Sequence, residues 1–559
     1  VGWFLRRLIG LVLVLVALPR LLGAIFDLFA RRDALVVRLT GQVPDHHPGW
    51  RRLFAAQHVL SLDEALEALA AARDDARLRL VIVLLERAAL SLVQAEDLAQ
   101  ELALQRAAGR RVIVWIDGTT GPCLVVGAAA DQALAPPEAQ LEFAGLRVRA
   151  VFLAELLELV GVVPLLDREG PYKTAADMFT RTRMTPAHRE MAESLGGDLF
   201  DQLVAAFVAR GLARERVVAA IDDAPVSHRA AVAERLLDGL AYRDQVEERA
   251  KGLLGLDRDL RAVGPERLIA RRRRRERVRA AFLDRPLVAQ VSMSGTIVPG
   301  ETGRGLPAHA VVDLLEGLRE AAAVRAVVLR IDSPGGSATA SDDLWRAVRR
   351  LDEKKPVVAS LGAVAASGGY YAAVGARRIV AHASTLTGSI GIVAGKLHLA
   401  PALERLGVRM EGPQFGARAG MFDPDRGFTD DERVAARREL ERFYRVFLER
   451  VAEGRKKGVF EVERLAQGRV YTGRQALALG LVDRLGGARA ALEEARALAG
   501  ITGDHRLVHV GVPRGWTGML RGEGASASAL DALLEPLLEL AALSRERALA
   551  WCPVEVDGV

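Results

Sequence analysis

Ala326-Val327-Val328-Leu329-Arg330-Ile331-Asp332-Ser333-Pro334-Gly335-Gly336-Ser337 is the stretch that decides the fold. An apolar, β-prone run empties into Ser-Pro-Gly-Gly, where the proline ends the strand and the two glycines leave backbone N–H groups bare. Further on, Val364-Ala365-Ala366-Ser367-Gly368-Gly369-Tyr370-Tyr371 sets a serine among small residues at the expected start of a helix. A strand leading into a glycine turn, beside a serine at a helix start, can aim several N–H groups at one point, as an oxyanion hole requires. The pair reads as a serine hydrolase, yet no histidine lies near either motif.

Working outward, strands alternate with helical patterns twice, over residues 34–283 and 284–512. This alternation predicts two α/β domains, each a mostly parallel sheet of βαβ units. A shift of 246 residues lays Val81-Ile82-Val83 on Val327-Val328-Leu329, Gly145 on Gly391 and Gly161-Val162 on Gly407-Val408. An offset held without gaps is the mark of an internal duplication. The same shift puts Ala89 and Leu90 under Gly335 and Gly336, and Gly121 under Ser367. The first half therefore lacks both the serine and the glycine turn, and alone it should be inert.

A serine without histidine can be activated by a buried lysine whose neutral amine accepts the proton, whereas arginine stays charged. Only seven of the 77 Lys and Arg residues are lysine, so each one is informative. Lys251, Lys354, Lys355, Lys456 and Lys457 sit in charged, helix-like stretches. Lys396, after Val393-Ala394-Gly395, is one with a claim to lie near Ser367. Lys173 lies in Glu169-Gly170-Pro171-Tyr172-Lys173-Thr174-Ala175, a glycine-proline loop of the first half. Its shifted counterpart is Ala419, so each half lacks what the other retains. Spacing alone leaves Lys173 open between a catalytic base and a structural or surface lysine.

The bulk properties exclude more than they assign. A net charge of +6 on 559 residues gives no general case for nucleic-acid binding. The run Arg271 to Arg275 reads as a solvated linker between domains, with anionic lipid as the rival reading. Cys123 and Cys552 form no disulfide framework or zinc spacing, and no metal site is expected. Residues 1–33 hold an apolar run from Leu8 to Phe26, long enough at roughly 28 Å of helix to cross a bilayer. An uncleaved anchor is the expectation there, ahead of a removable signal peptide or a membrane-surface helix. Residues 513–559 form a tail with an expected helix from Ala529 to Ala550.

Ser-Pro-Gly-Gly, Ala-Ser-Gly-Gly-Tyr, Leu386-Thr387-Gly388-Ser389-Ile390-Gly391 and Gly170-x-Tyr172-Lys173-x-Ala175 together resemble the signal peptide peptidase A family in its long, duplicated form. The resemblance implies two tandem Clp protease/crotonase-like βαβ domains after an N-terminal transmembrane helix. It implies a Ser/Lys-dyad serine endopeptidase of hydrophobic peptides such as remnant signal peptides, without a cofactor. Carried over, Ser367 is the nucleophile, Lys173 the general base, and Ser389 the residue that orients the amine. The N–H groups of Gly336 and Gly368 form the oxyanion hole. A homotetramer is also implied, anchored in the bacterial inner membrane with its catalytic domains on the periplasmic side. Ser333 and Ser337 are expected in turn and helix-cap roles. The rivals are a crotonase-like acyl-CoA hydratase or isomerase, which would need acid/base carboxylates near the hole, and a non-catalytic membrane scaffold.

Overall fold

Runs such as Leu80-Val81-Ile82-Val83-Leu84-Leu85 are buried along their whole length, as strands covered on both faces must be. A computed structural model of the chain describes residues 32–45, 60–282, 285–301, 305–512, 549–551 and 555–557. In the first half the strand order is Gly239–Leu240, Gln132–Ala135, Arg111–Asp117, Leu80–Ala89, Ala34–Gln42, Ala262–Val263, all parallel. In the second half Val357–Ala366, Val324–Ser333, Leu287–Ser294 and Arg506–Val510 run side by side in the same sense. Helices with serine caps flank the first sheet: Ser61 and Glu64 box the start of Leu62–Arg73, and Ser91 and Gln94 that of Leu92–Ala107.

The duplication runs further than the sequence landmarks. Gln132–Ala135 corresponds to Arg378–Ala381, Pro186–Val208 to Asp430–Arg455, and His228–Ala233 to Gly473–Ala478. The halves part where the first extends Val163–Arg168 as a strand antiparallel to Val393–His398 of the second. The corresponding residues 409–414 form no strand. This pairing puts a strand of the first half into a sheet otherwise built from later residues, and Lys173 follows five residues after it. The apolar core of the first half also takes in Ala366, Leu386 and Val470, so the two halves share packing beside the serine.

Two expectations are corrected. The arginine run is not a linker but part of the helix Pro265–Phe282, which packs on Leu62–Arg73. Arg271 reaches Asp75 at 2.9 Å and Arg273 pairs with Glu67, so arginine, a good helix former, finds acidic partners on the neighbouring helix and in the turn just past its end. Leu549 and Ala550 lie not at the end of a helix but in the strand Leu549–Trp551, where pairing with an open sheet edge overrides local propensity. The apolar run from Leu8 to Phe26 and residues 513–548 lie outside the described residues. Among those described, no helix is long and apolar enough to cross a membrane.

A buried charge cluster also joins the halves. His382 of the second half is 3.2 Å from Glu96 and 3.1 Å from Asp97 of the first, and Arg330 approaches Asp97 and Asp45. Burial alone would lower the His382 pKa, but Asp97 and then Glu96 outweigh it and push it up to about 9. Because the folded value lies above the ordinary 6.5, the stabilisation is complete below pH 6.5. It fades as the pH rises and is lost above 9. It should amount to about 3 kcal/mol. Urea unfolding of the native chain should weaken by that amount between pH 6 and pH 10, and His382→Gln should remove this component. Parallel pH trends for the two proteins would refute it.

Candidate active site

The strand Val357–Ala366 ends one residue before Ser367, which caps the short helix Gly368–Ala373. Ser367 sits at φ 53°, ψ −115°, a conformation that L residues rarely adopt. Its N–H donates to the Gly388 carbonyl at 2.8 Å, and its carbonyl accepts from Tyr371 N–H at 2.8 Å. A strand, a strained serine and a helix are thus held by backbone bonds on both sides, which turns the side chain out of the strand and helix ladders.

The glycine turn is built against this serine. Gly336 has φ +152°, and a Cβ there would fall 2.1 Å from the Ile297 carbonyl oxygen, so only glycine fits. A Cβ at Gly369 would fall 2.6 Å from the Ser333 carbonyl oxygen, which lets the serine helix lie directly on the turn. Ser333 Oγ accepts from Gly335 N–H at 3.2 Å, and Ser337 Oγ accepts from Ala340 N–H at 3.3 Å, turn and cap roles respectively. Asp332 accepts from Val364 N–H at 3.0 Å and ties the strand before the turn to the serine strand. Burial pushes its carboxyl up, followed by the Asp45 charge. Asp332 is a positioning residue that sequence reasoning passed over, because nothing in Ile-Asp-Ser marks its long-range partner.

Lys173 arrives from the other half. Its Nζ lies 2.7 Å from Ser367 Oγ across 194 residues of sequence, and 3.0 Å from both Oγ and the carbonyl oxygen of Ser389. Lys173, Ser367 and Ser389 are all buried. Ser389 is itself held at φ 50°, with its N–H donating to the Arg469 carbonyl at 2.7 Å. All three groups belong to the same chain. Lys396, the other lysine considered, is turned away: its Nζ donates to the carbonyls of Met421 and Asp423.

Backbone docking places the lysine loop. Glu169 N–H donates to the Ile392 carbonyl and Tyr172 N–H to the Gln467 carbonyl, each at 3.0 Å. Arg168 braces the loop from within, 2.6 Å from Asp177 and donating to the Lys173 carbonyl at 3.3 Å. Beyond the loop, Asp198 takes the Thr472 hydroxyl at 2.6 Å and Arg474 at 2.8 Å. The sequence carried no sign of Arg168, Asp177 or Asp198, because their partners are set by tertiary packing, within the first half for Arg168 and Asp177 and between the halves for Asp198.

The model of Peptidase family S49 matches residues 104–257 and 349–502, once in each half. The chain belongs to peptidase family S49. The two matched segments start 245 residues apart, 104 against 349, which agrees with the duplication read from the strands. Among S49 relatives, "Serine protease SPPA, chloroplastic" of Arabidopsis thaliana is 30% identical over 494 residues, 86% of this chain and 72% of its own. "Protease 4" of Haemophilus influenzae is 26% identical over 515 residues, 88% of this chain and 83% of its own. Among solved structures, a point mutant of ClpP1 from Listeria monocytogenes aligns at 15% identity over 36% of this chain and 94% of that one, with a TM-score of 0.25. The protein is an S49 serine peptidase of tandem architecture, and the expected membership in the signal peptide peptidase type holds.

Proposed function

We propose that this S49 peptidase works through a Ser367/Lys173 dyad supplied by its two halves. The 2.7 Å approach of a buried amine to the serine hydroxyl carries the reading. The neutral amine of Lys173 takes the Ser367 proton as Oγ attacks a peptide carbonyl, and it returns that proton to the leaving amine. It then draws a proton from water, which hydrolyses the acyl-enzyme. Ser389 orients the amine through its hydroxyl and its carbonyl, and the N–H groups of Gly336 and Gly368 hold the oxyanion. No step calls for a cofactor. The substrates are extended hydrophobic peptides, of which signal peptides already released from their preproteins are the natural class. A membrane anchor near the start of the chain and a homotetramer would keep such peptides close to the site.

Covalent capture tests this reading. A fluorophosphonate probe should label the chain at Ser367, located by peptide mass spectrometry, and Lys173→Met should slow the labelling by about a hundredfold or more. Labelling elsewhere, or equal rates in the two proteins, would overturn the dyad and reopen the hydratase alternative.

A further inference from the structure

The sheet between the two halves contains a slot one strand wide. Its order is Leu306–Pro307, Ile297–Val298, Gly335–Ser337, Leu549–Trp551, Val393–His398, Val163–Arg168. On one side of the slot, the glycine-turn strand is already paired on its far edge, Gly336 with Ile297. On the other side, Val393–His398 is paired on its far edge with Val163–Arg168. Each flanking strand therefore turns one free edge toward the other. Among the described residues, what fills the gap is a strand from late in the same chain. Leu549–Trp551 runs antiparallel to the glycine turn, with Gly336 opposite Ala550, Gly335 opposite Trp551 and Ser337 opposite Leu549. Leu549 also stands opposite Val393.

An extended peptide that enters an open sheet edge gains its affinity from main-chain hydrogen bonds, whatever its side chains. A strand laid on Gly336 also brings peptide carbonyls to the turn assigned above to the oxyanion hole. A second observation agrees with an occupied site: Ser367 is 0%, Lys173 1% and Ser389 2% exposed. A nucleophile without accessible surface cannot receive a substrate until something beside it leaves.

We infer that Leu549–Trp551 is a built-in substrate-like strand, which occupies the peptide slot between Gly335–Ser337 and Val393–His398 and holds the enzyme closed until an incoming peptide displaces it. The inference rests on the proposed dyad only for its consequence in catalysis. Occupancy of the slot stands on the strand pairing alone. Competition of this kind raises the apparent KM and leaves kcat alone, because the strand and the substrate exclude each other.

The test uses the whole chain with Ala550→Pro, which removes the N–H opposite Gly336 and disfavours the strand. A fluorescent peptide with the sequence of residues 546–554 is titrated against Ser367→Ala chains with and without the proline, so that binding is read without turnover. About tenfold tighter binding to the proline variant is expected, with an equal fall in KM and unchanged kcat on the Ser367 background. Equal peptide affinities with and without the proline would overturn the inference. Failure of the dyad would be seen separately, as absent labelling of Ser367 whatever residue occupies position 550.

Discussion

Replacing Lys173 with methionine should lower kcat/KM for peptide hydrolysis by about 10⁴-fold or more. Ser367→Ala should do the same, and the double variant should be no worse than either single one. In the proposed dyad nucleophile and base act as a unit, so removing one leaves the other nothing to do. The amine is buried, with Ser367 Oγ at 2.7 Å and both Ser389 oxygens at 3.0 Å. Methionine keeps the length of the side chain without a proton acceptor. It also avoids burying an amine, so the melting temperature should hold or rise. Mixing Lys173→Met with Ser367→Ala protein should restore nothing, because Lys173 meets the serine of its own chain. Recovery of activity on mixing would show that a neighbouring chain supplies the lysine, and appreciable turnover by the single variants would sink the dyad.

The parts of this site that sequence revealed are those fixed by local chemistry. Ser-Pro-Gly-Gly has to turn, and a serine amid glycines and alanines has to be tightly packed, so the glycine turn and the strained Ser367 were legible. Scarcity made Lys173 stand out, and the missing counterpart at Ala419 tied it to the second half. What could not be read is what depends on tertiary packing between distant segments. Arg168 looks like any of the arginines until its partner is seen to be Asp177 behind the lysine loop. The arginine run reads as solvated because its acidic partners, Glu67 on another helix and Asp75 just past that helix's end, lie about two hundred residues earlier. Leu549–Trp551 has no pattern that marks it as a strand. Its conformation is set by the open edge of Gly335–Ser337, which lies outside any local window.

Gly468→Ala should cut kcat by about a hundredfold with little change in KM, although Gly468 carries no chemistry. Three glycines let the lysine loop close on the second half. A Cβ at Gly170 would fall 2.2 Å from the Gln467 carbonyl, and one at Gly391 would fall 2.9 Å from Gly468 Cα and 3.0 Å from the Glu169 oxygen. At Gly468 the clash is with the proposed base itself, 2.4 Å from Lys173 N and 2.5 Å from Lys173 Cβ. Backbone cannot swing aside as a flexible side chain can, so the loop must retreat and carry the amine away from Ser367. Displacement of a catalytic group by about 1 Å is enough for a loss of this size. Left-handed strain alone offers a competing explanation, since Gly468 has φ +78°. Gly407 provides the matched control: its φ is +76°, and a Cβ there would meet nothing within 4 Å. Gly407→Ala should cost only the conformational strain, about 1 kcal/mol of stability, and leave kcat intact. If both substitutions lower kcat alike, strain rather than lysine placement is responsible. If Gly468→Ala turns over normally, the loop has more room than its glycine interlock implies.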